Sequence, residues 1–150
     1  TDKDESDTEL GLLVALRAGV REITILGALG GPRIDHALAN IQLLAHPGTL
    51  DISVQLLDPA SRIRLVQAPR NDGAAAHLDL GGRVGDLVSL IPVDVVSGVT
   101  TTGLRYELRD EILLVGPARG LSNVRDAAVA AVRIRGGRLL VVEVPATLPS

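Results

Sequence analysis

The stretch "EITILGALGGPRIDHALANIQLL", residues 22–44, decides how the first part of the chain folds. "EITILGA" is a short, continuous apolar run, which predicts a strand buried on both faces. It ends in "GALGGP", and a helix is expected to begin near Ile34. In that helix Ile34, Leu38, Ile41 and Ala45 recur at the spacing of a buried face, while His36 and Asn40 share another. If Ile23–Leu26 is a parallel strand, Gly27–Pro32 lies beyond its carboxyl end, where open α/β sheets place their ligands. Glycines let the backbone approach an anion, and the first turn of the next helix offers unpaired N–H groups.

Elements of the same kind flank this unit. "SDTELGLLVALRAG" (residues 6–19) predicts a helix: Ser6 and Glu9 have capping-box spacing, Leu10, Leu13 and Leu16 recur at helical intervals, and Gly19 follows as a stop. "SVQLLD" predicts a second strand and "IRLVQA" a third. Helix, strand, helix, strand is the order of a parallel sheet with helical crossovers. After "PRNDG" (69–73) the rhythm changes. "AHLDL", "DLVSLIPV", "LRYEL", "EILLVG", "VAAVRIRGG" and "RLLVVEV" read as short strands separated by Gly, Asp and Pro, an antiparallel β-sandwich. The expected class is therefore α/β plus all-β. A partial parallel-sheet α/β domain occupies residues 1–70, a β-sandwich domain residues 71–150, and the boundary falls near Arg70–Gly73.

Composition narrows the function. Of 150 residues 46% are apolar, Phe, Trp, Met and Cys are absent, and Tyr106 is the only aromatic, so the core must be aliphatic and no disulfide can form. A net charge of −3 argues against a general nucleic-acid binder, which carries a basic face. No apolar run approaches the ~18 residues of a membrane span, and no signal sequence opens the chain. A soluble, cytoplasmic protein is expected. The opening "TDKDESD" reads like the interior of a longer protein.

Three groups of residues have the makings of a site. In "DKDESDTE", Asp2, Asp4, Glu5, Asp7 and Glu9 precede or begin a helix. Such acids complement the helix dipole, and one or two of them with substrate phosphates could hold a hydrated Mg²⁺. In the glycine loop and the helix after it, Arg33 has a fork suited to phosphate oxygens. Asp35 suits a metal or a substrate hydroxyl, Asn40 could order its neighbours, and His36 reads equally well as a surface or capping residue. This is no Walker loop, because no Gly-Lys-Ser/Thr ends it. The third group, "GVTTTGLRYEL" and "GLSNV", suits a strand and a turn as readily as a ligand.

Together, "KDESDTEL", "GALGGPRIDHALANIQLL", "SLIPV…GVTTTGLRYEL" and "GLSNV" resemble, in order and spacing, the thiamine pyrophosphokinases (thiamine diphosphokinases). The resemblance covers nearly the whole chain. It implies a two-lobed homodimer that transfers the pyrophosphoryl group of ATP, with Mg²⁺, to the hydroxyethyl group of thiamine, giving thiamine diphosphate and AMP. Asp4 and Asp7 match the family's acidic pair, which holds the metal and triphosphate. Gly30, Gly31 and Arg33 match its phosphate-facing loop, with His36 and Asn40 in support, and Asp35 is the residue expected to activate or position the hydroxyl. Ser122 and Asn123 match a Ser-Asn motif that reaches thiamine from the partner subunit.

The resemblance also implies a further N-terminal α/β segment with a Gly-Asp-x-Asp-Ser-type motif, absent from this sequence, so a fragment is expected. Some members stack thiamine on a tryptophan near the Ser-Asn motif. Here stacking must come from elsewhere, or the slot is aliphatic. The competing expectations are a non-catalytic dimeric module that binds thiamine or nucleotide, and an enzyme acting on another alcohol with the same nucleotide apparatus.

Overall fold

The computed structural model describes residues 6–69 and 73–146. The chain divides into two compact units, residues 1–58 and 59–150.

In the first unit, α1 (Asp7–Arg17) starts where its cap predicts: the Ser6 hydroxyl accepts a hydrogen bond from the Glu9 amide at 3.1 Å. Its buried residue is Leu12, with Leu13 and Leu16 half-buried and Leu10 41% exposed. The inward stripe is thus turned from the one expected on Leu10, Leu13 and Leu16. β1 (Glu22–Leu26) and β2 (Ser53–Leu57) pair in parallel, Glu22 opposite Ser53 through Leu26 opposite Leu57. Between them run α2 (Ile34–Gln42) and two short 3-10 turns, Leu43–Ala45 and Pro47–Thr49. Gly48 packs so closely on Leu16 that a Cβ there would lie 2.8 Å from its methyl group.

Two burial expectations fail in this unit. β1 alternates between exposed and half-buried, with Leu26 71% exposed, where burial on both faces was expected. On α2, Ile34 is 72% and Leu38 55% exposed, where a buried face was expected, while Ile41 and, in the turn after the helix, Ala45 are half-buried. An apolar run or stripe records what an element can bury. Burial itself needs another layer against that face.

The second unit is a sandwich of two antiparallel sheets. In one, β10 (Arg138–Val144) lies between β3 (Arg62–Gln67) and β5 (Leu87–Pro92), and β5 also pairs with β8 (Asn123–Val124). In the other, β9 (Ala131–Ile134) lies between β4 (Ala76–Asp79) and β6 (Val96–Thr102), and β6 also pairs with β7 (Glu111–Leu113). Side chains alternate across each strand. Along β10, Leu139, Val141 and Glu143 are buried and the residues between them are half-buried. Val66, Val88, Leu90, Val96, Val99, Val132 and Ile134 join Leu139 and Val141 in one aliphatic core.

The division at Asp58 differs from the boundary read near Arg70–Gly73, because β3 makes its antiparallel ladder with β10. A second difference concerns "LRYEL". Leu104 makes a single bridge to Arg125, and residues 105–110 form an irregular loop rather than a strand. Glu143, on the inward face of β10, is held by Arg62 (2.8 and 3.0 Å), Arg64 (2.7 Å) and the Gly81 amide (2.6 Å). Burial opposes its ionisation, but the two guanidiniums outweigh that, and its carboxyl titrates below the ordinary value.

Candidate active site

In the first unit the opening turns of two helices border one cleft of about 560 Å³. Ser6, Asp7 and Thr8 come from the start of α1, and Asp35, His36, Ala39 and Asn40 from α2. Asp7, Asp35, His36 and Asn40, all singled out in the sequence, are thus brought together. Two helix N-termini border the cleft, and the positive ends of their dipoles lie beside the carboxylates of Asp7 and Asp35. Arg33 occupies the N-cap position, and its guanidinium, a donor only, cannot accept from the α2 amides and is spent elsewhere.

It is spent on Asp35. Nε and Nη2 of Arg33 donate to the two carboxylate oxygens at 2.8 and 2.5 Å, a bidentate pair exposed to solvent. The Arg33 hydrogen bond holds the Asp35 carboxyl well below the usual carboxylate range, and the same contact raises Arg33. Paired in this way Asp35 is a strong hydrogen-bond acceptor and a poor proton acceptor.

Asn40 has a structural task. Its amide donates to the Ala28 carbonyl at 2.9 Å and fastens α2 to the glycine loop. In that loop Gly31 has φ +110°, a conformation that excludes side chains. A Cβ at Gly30 or Gly31 would meet nothing within 4 Å, so the backbone is open to approach. Asp4 lies outside the described residues, with Asp2 and Glu5.

Ser122 and Asn123 belong to the second unit. Ser122 is exposed, has φ +55°, and its amide donates to the Ser89 hydroxyl at 3.0 Å. Asn123 is 5% exposed. Its Oδ1 accepts from the amides of Tyr106 (3.0 Å) and Val124 (2.9 Å), and its Nδ2 donates to the Tyr106 carbonyl (2.7 Å). The carboxamide thus pairs with the backbone of Tyr106 much as a neighbouring strand would.

A sequence profile of the thiamin pyrophosphokinase catalytic domain matches residues 1–56, and one of the thiamin pyrophosphokinase vitamin B1 binding domain matches residues 76–139. The chain belongs to the thiamine pyrophosphokinase family. It is 32% identical over 123 residues to the thiamine pyrophosphokinase of Bacillus subtilis, a match covering 81% of this chain and 54% of that protein. The chain therefore spans about half the length of that relative. Among solved structures, it resembles thiamine pyrophosphokinase from Bacillus subtilis with a TM-score of 0.83 at 27% identity, over 95% of this chain and 64% of the other. A thiamin pyrophosphokinase family protein from Enterococcus faecalis gives 0.78 at 27% identity, over 95% and 65%.

Against this family frame, the helix-turn cleft lies in the part matched as catalytic, and Ser122, Asn123 and Tyr106 lie in the part matched as vitamin B1 binding. Two sets of residues shape the second part in a role that the sequence did not reveal. Thr101, buried, accepts the Leu108 amide on Oγ1 at 2.9 Å, and Thr100 accepts that of Asp110 at 3.2 Å. Arg125, also buried, donates to the carbonyls of Leu80, Gly81, Ala127 and Ala128. The available signal was position: Arg125 closely follows the Ser-Asn pair, and the threonines sit just before Gly103.

Proposed function

We propose that the protein to which this chain belongs transfers the pyrophosphoryl group of ATP to thiamine, giving thiamine diphosphate and AMP. The observation that carries this reading is the convergence of Asp7, Asp35, His36 and Asn40 on one cleft, in the region matched as catalytic. The thiamine hydroxyl oxygen bonds to the β-phosphorus of ATP, and the bond from that phosphorus to the oxygen shared with the α-phosphate breaks. AMP leaves with that oxygen. Such a reaction asks the protein for in-line positioning and charge neutralisation.

The glycine loop with Gly30 and Gly31, the two helix N-termini and Arg33 would receive the polyphosphate. Arg33 can bond Asp35 or a phosphate. A phosphate that draws it away returns Asp35 toward ordinary carboxylate basicity, so that it accepts the hydroxyl's hydrogen bond and then its proton. His36 and Asn40 support the loop.

Among the described residues no group of three or more His, Asp or Glu makes a ready-formed metal cage. The oxygen donors on the cleft still suit Mg²⁺, which takes one or two carboxylates and leaves its other positions to water and phosphate. Asp7, with Asp4, would hold it, and the ion would neutralise charge developing on the phosphates. In the second unit Ser122 would face thiamine, with Asn123 beside it holding the Tyr106 backbone. We place the reaction in the cytoplasm, in a homodimer with shared sites. Among the described residues no helix is long and apolar enough to cross a membrane.

Incubation with ATP, Mg²⁺ and thiamine, followed by chromatography, tests the reading. Equal amounts of AMP and thiamine diphosphate, absent without thiamine, are expected. A second reading is a dimeric module that binds thiamine or nucleotide without turnover, for which the match of residues 76–139 to a vitamin B1 binding domain stands by itself. Calorimetric binding without AMP release would select it.

A further inference from the structure

The segment that carries Ser122 and Asn123 has little regular structure to hold it. β8 is two residues long and lies at the edge of its sheet. Ser122, just before it, has φ +55°, a left-handed conformation unfavourable to a residue with a side chain. Such a conformation persists only where its surroundings fix it. The Ser122 amide is held by the Ser89 hydroxyl. Three residues on, the Arg125 amide donates to the Asp86 carbonyl and the Arg125 carbonyl accepts from the Gly85 amide, both at 2.8 Å.

The Arg125 side chain adds a hold of another kind. Its Nη1 donates to the carbonyls of Leu80 (2.8 Å) and Gly81, just after β4, while Nε and Nη2 donate to those of Ala127 (3.1 Å) and Ala128. One guanidinium thus ties residues 80–81 to the loop that runs from β8 to β9. Gly81 is gripped at both of its backbone groups, because its amide donates to Glu143. The bridge is out of water, with Arg125 5% exposed.

All four acceptors are neutral carbonyls. The Asp86 carboxylate feels the charge of Arg125 but bonds the amides of Arg83 and Ala146. A cation buried on neutral acceptors is a costly way to obtain stability alone. What it supplies is geometry, since a rigid, planar fork of donors reaches two chain segments at once. Lysine keeps the charge but gathers its donors on one atom.

We propose that Arg125 is a positioning residue for thiamine. By bridging Leu80–Gly81 and Ala127–Ala128, its guanidinium fixes the segment from which Ser122 faces the ligand. The inference rests on the thiamine reading above and adds the buried group that sets where the Ser-Asn pair stands.

Thiamine is titrated by calorimetry into the full chain and its variants, well below every melting transition, so that affinity is read apart from stability. Arg125→Lys should bind thiamine about tenfold more weakly than wild type. Val132→Ala opens a hole in the core on β9 without removing the bridge, and should bind within about twofold of wild type. The wild type offers a second measurement that needs no variant. Exchange of the Arg125 Nε–H with solvent, followed by NMR, requires the bridge to open, so saturating thiamine should slow it about tenfold or more. Arg125→Lys binding within about twofold of wild type would overturn the proposal. So would thiamine heat with an unchanged Nε–H exchange rate, or an equal loss of affinity in Val132→Ala. In each of those cases thiamine binding itself stands. No heat from the wild type would overturn the thiamine reading, and this proposal with it.

Discussion

Replacing Asn123 by alanine tests whether a buried carboxamide holds the 103–110 loop. The side chain makes three hydrogen bonds, two accepted by Oδ1 and one donated by Nδ2. At about 1 kcal/mol net for each, their loss costs about 3 kcal/mol. That is a large part of the 5–15 kcal/mol typical of a domain. For a unit of this size it lowers the melting temperature by about 15 °C. Urea unfolding followed by far-ultraviolet circular dichroism measures the loss. Thr101→Val removes one acceptor for a buried amide and should cost about 1–2 kcal/mol. Both variants loosen the same loop, so the double variant should lose less than the sum of the two. An Asn123→Ala loss below about 1 kcal/mol, or a double variant additive to within about 0.5 kcal/mol, would refute the picture of a loop held as one unit.

Three further expectations follow from the geometry. Gly103 has φ +71° and a Cβ there would overlap the Val129 carbonyl oxygen, so Gly103→Ala should cost about 2–5 kcal/mol in urea unfolding. The depressed Glu143 carboxyl contributes stability that is present above its unfolded-state value, near 4.5, and lost as pH falls through the lower folded-state value. Glu143→Gln should therefore lower stability by about 3 kcal/mol at pH 7 and flatten the acid limb of the melting profile. Asp86, held low by the Ala146 and Arg83 amides, should supply part of the slope that remains. Asp35→Asn should leave the melting temperature unchanged, since the Arg33 pair is exposed, and should cut AMP release to below about a tenth of wild type.

The elements with local signals were readable from sequence. Ser6 caps α1, the alternation in "RLLVVEV" becomes β10, and the glycine loop joins β1 to α2. What escaped depends on partners distant in sequence. "LRYEL" alternates like a strand, and its two leucines are indeed buried, but the hydroxyls of Thr100 and Thr101 and the Asn123 carboxamide capture its backbone first. The apolar face of α2 was visible while its exposure was not, because periodicity describes one surface of an interface. The candidate site divides in the same way. His36 and Asn40 are four residues apart on one helix, so their shared cleft follows from helical spacing. A motif asparagine looks the same in sequence whether it faces a ligand or, as Asn123 does, another backbone.

Asn123 recognises position 106 through its amide and carbonyl, and those two groups are common to every residue except proline. The support is therefore indifferent to the side chain it carries. Position 106 works as an interchangeable fitting, at which the protruding group can be exchanged while the scaffold beneath keeps its shape. The same position is the natural socket for a synthetic or fluorescent amino acid.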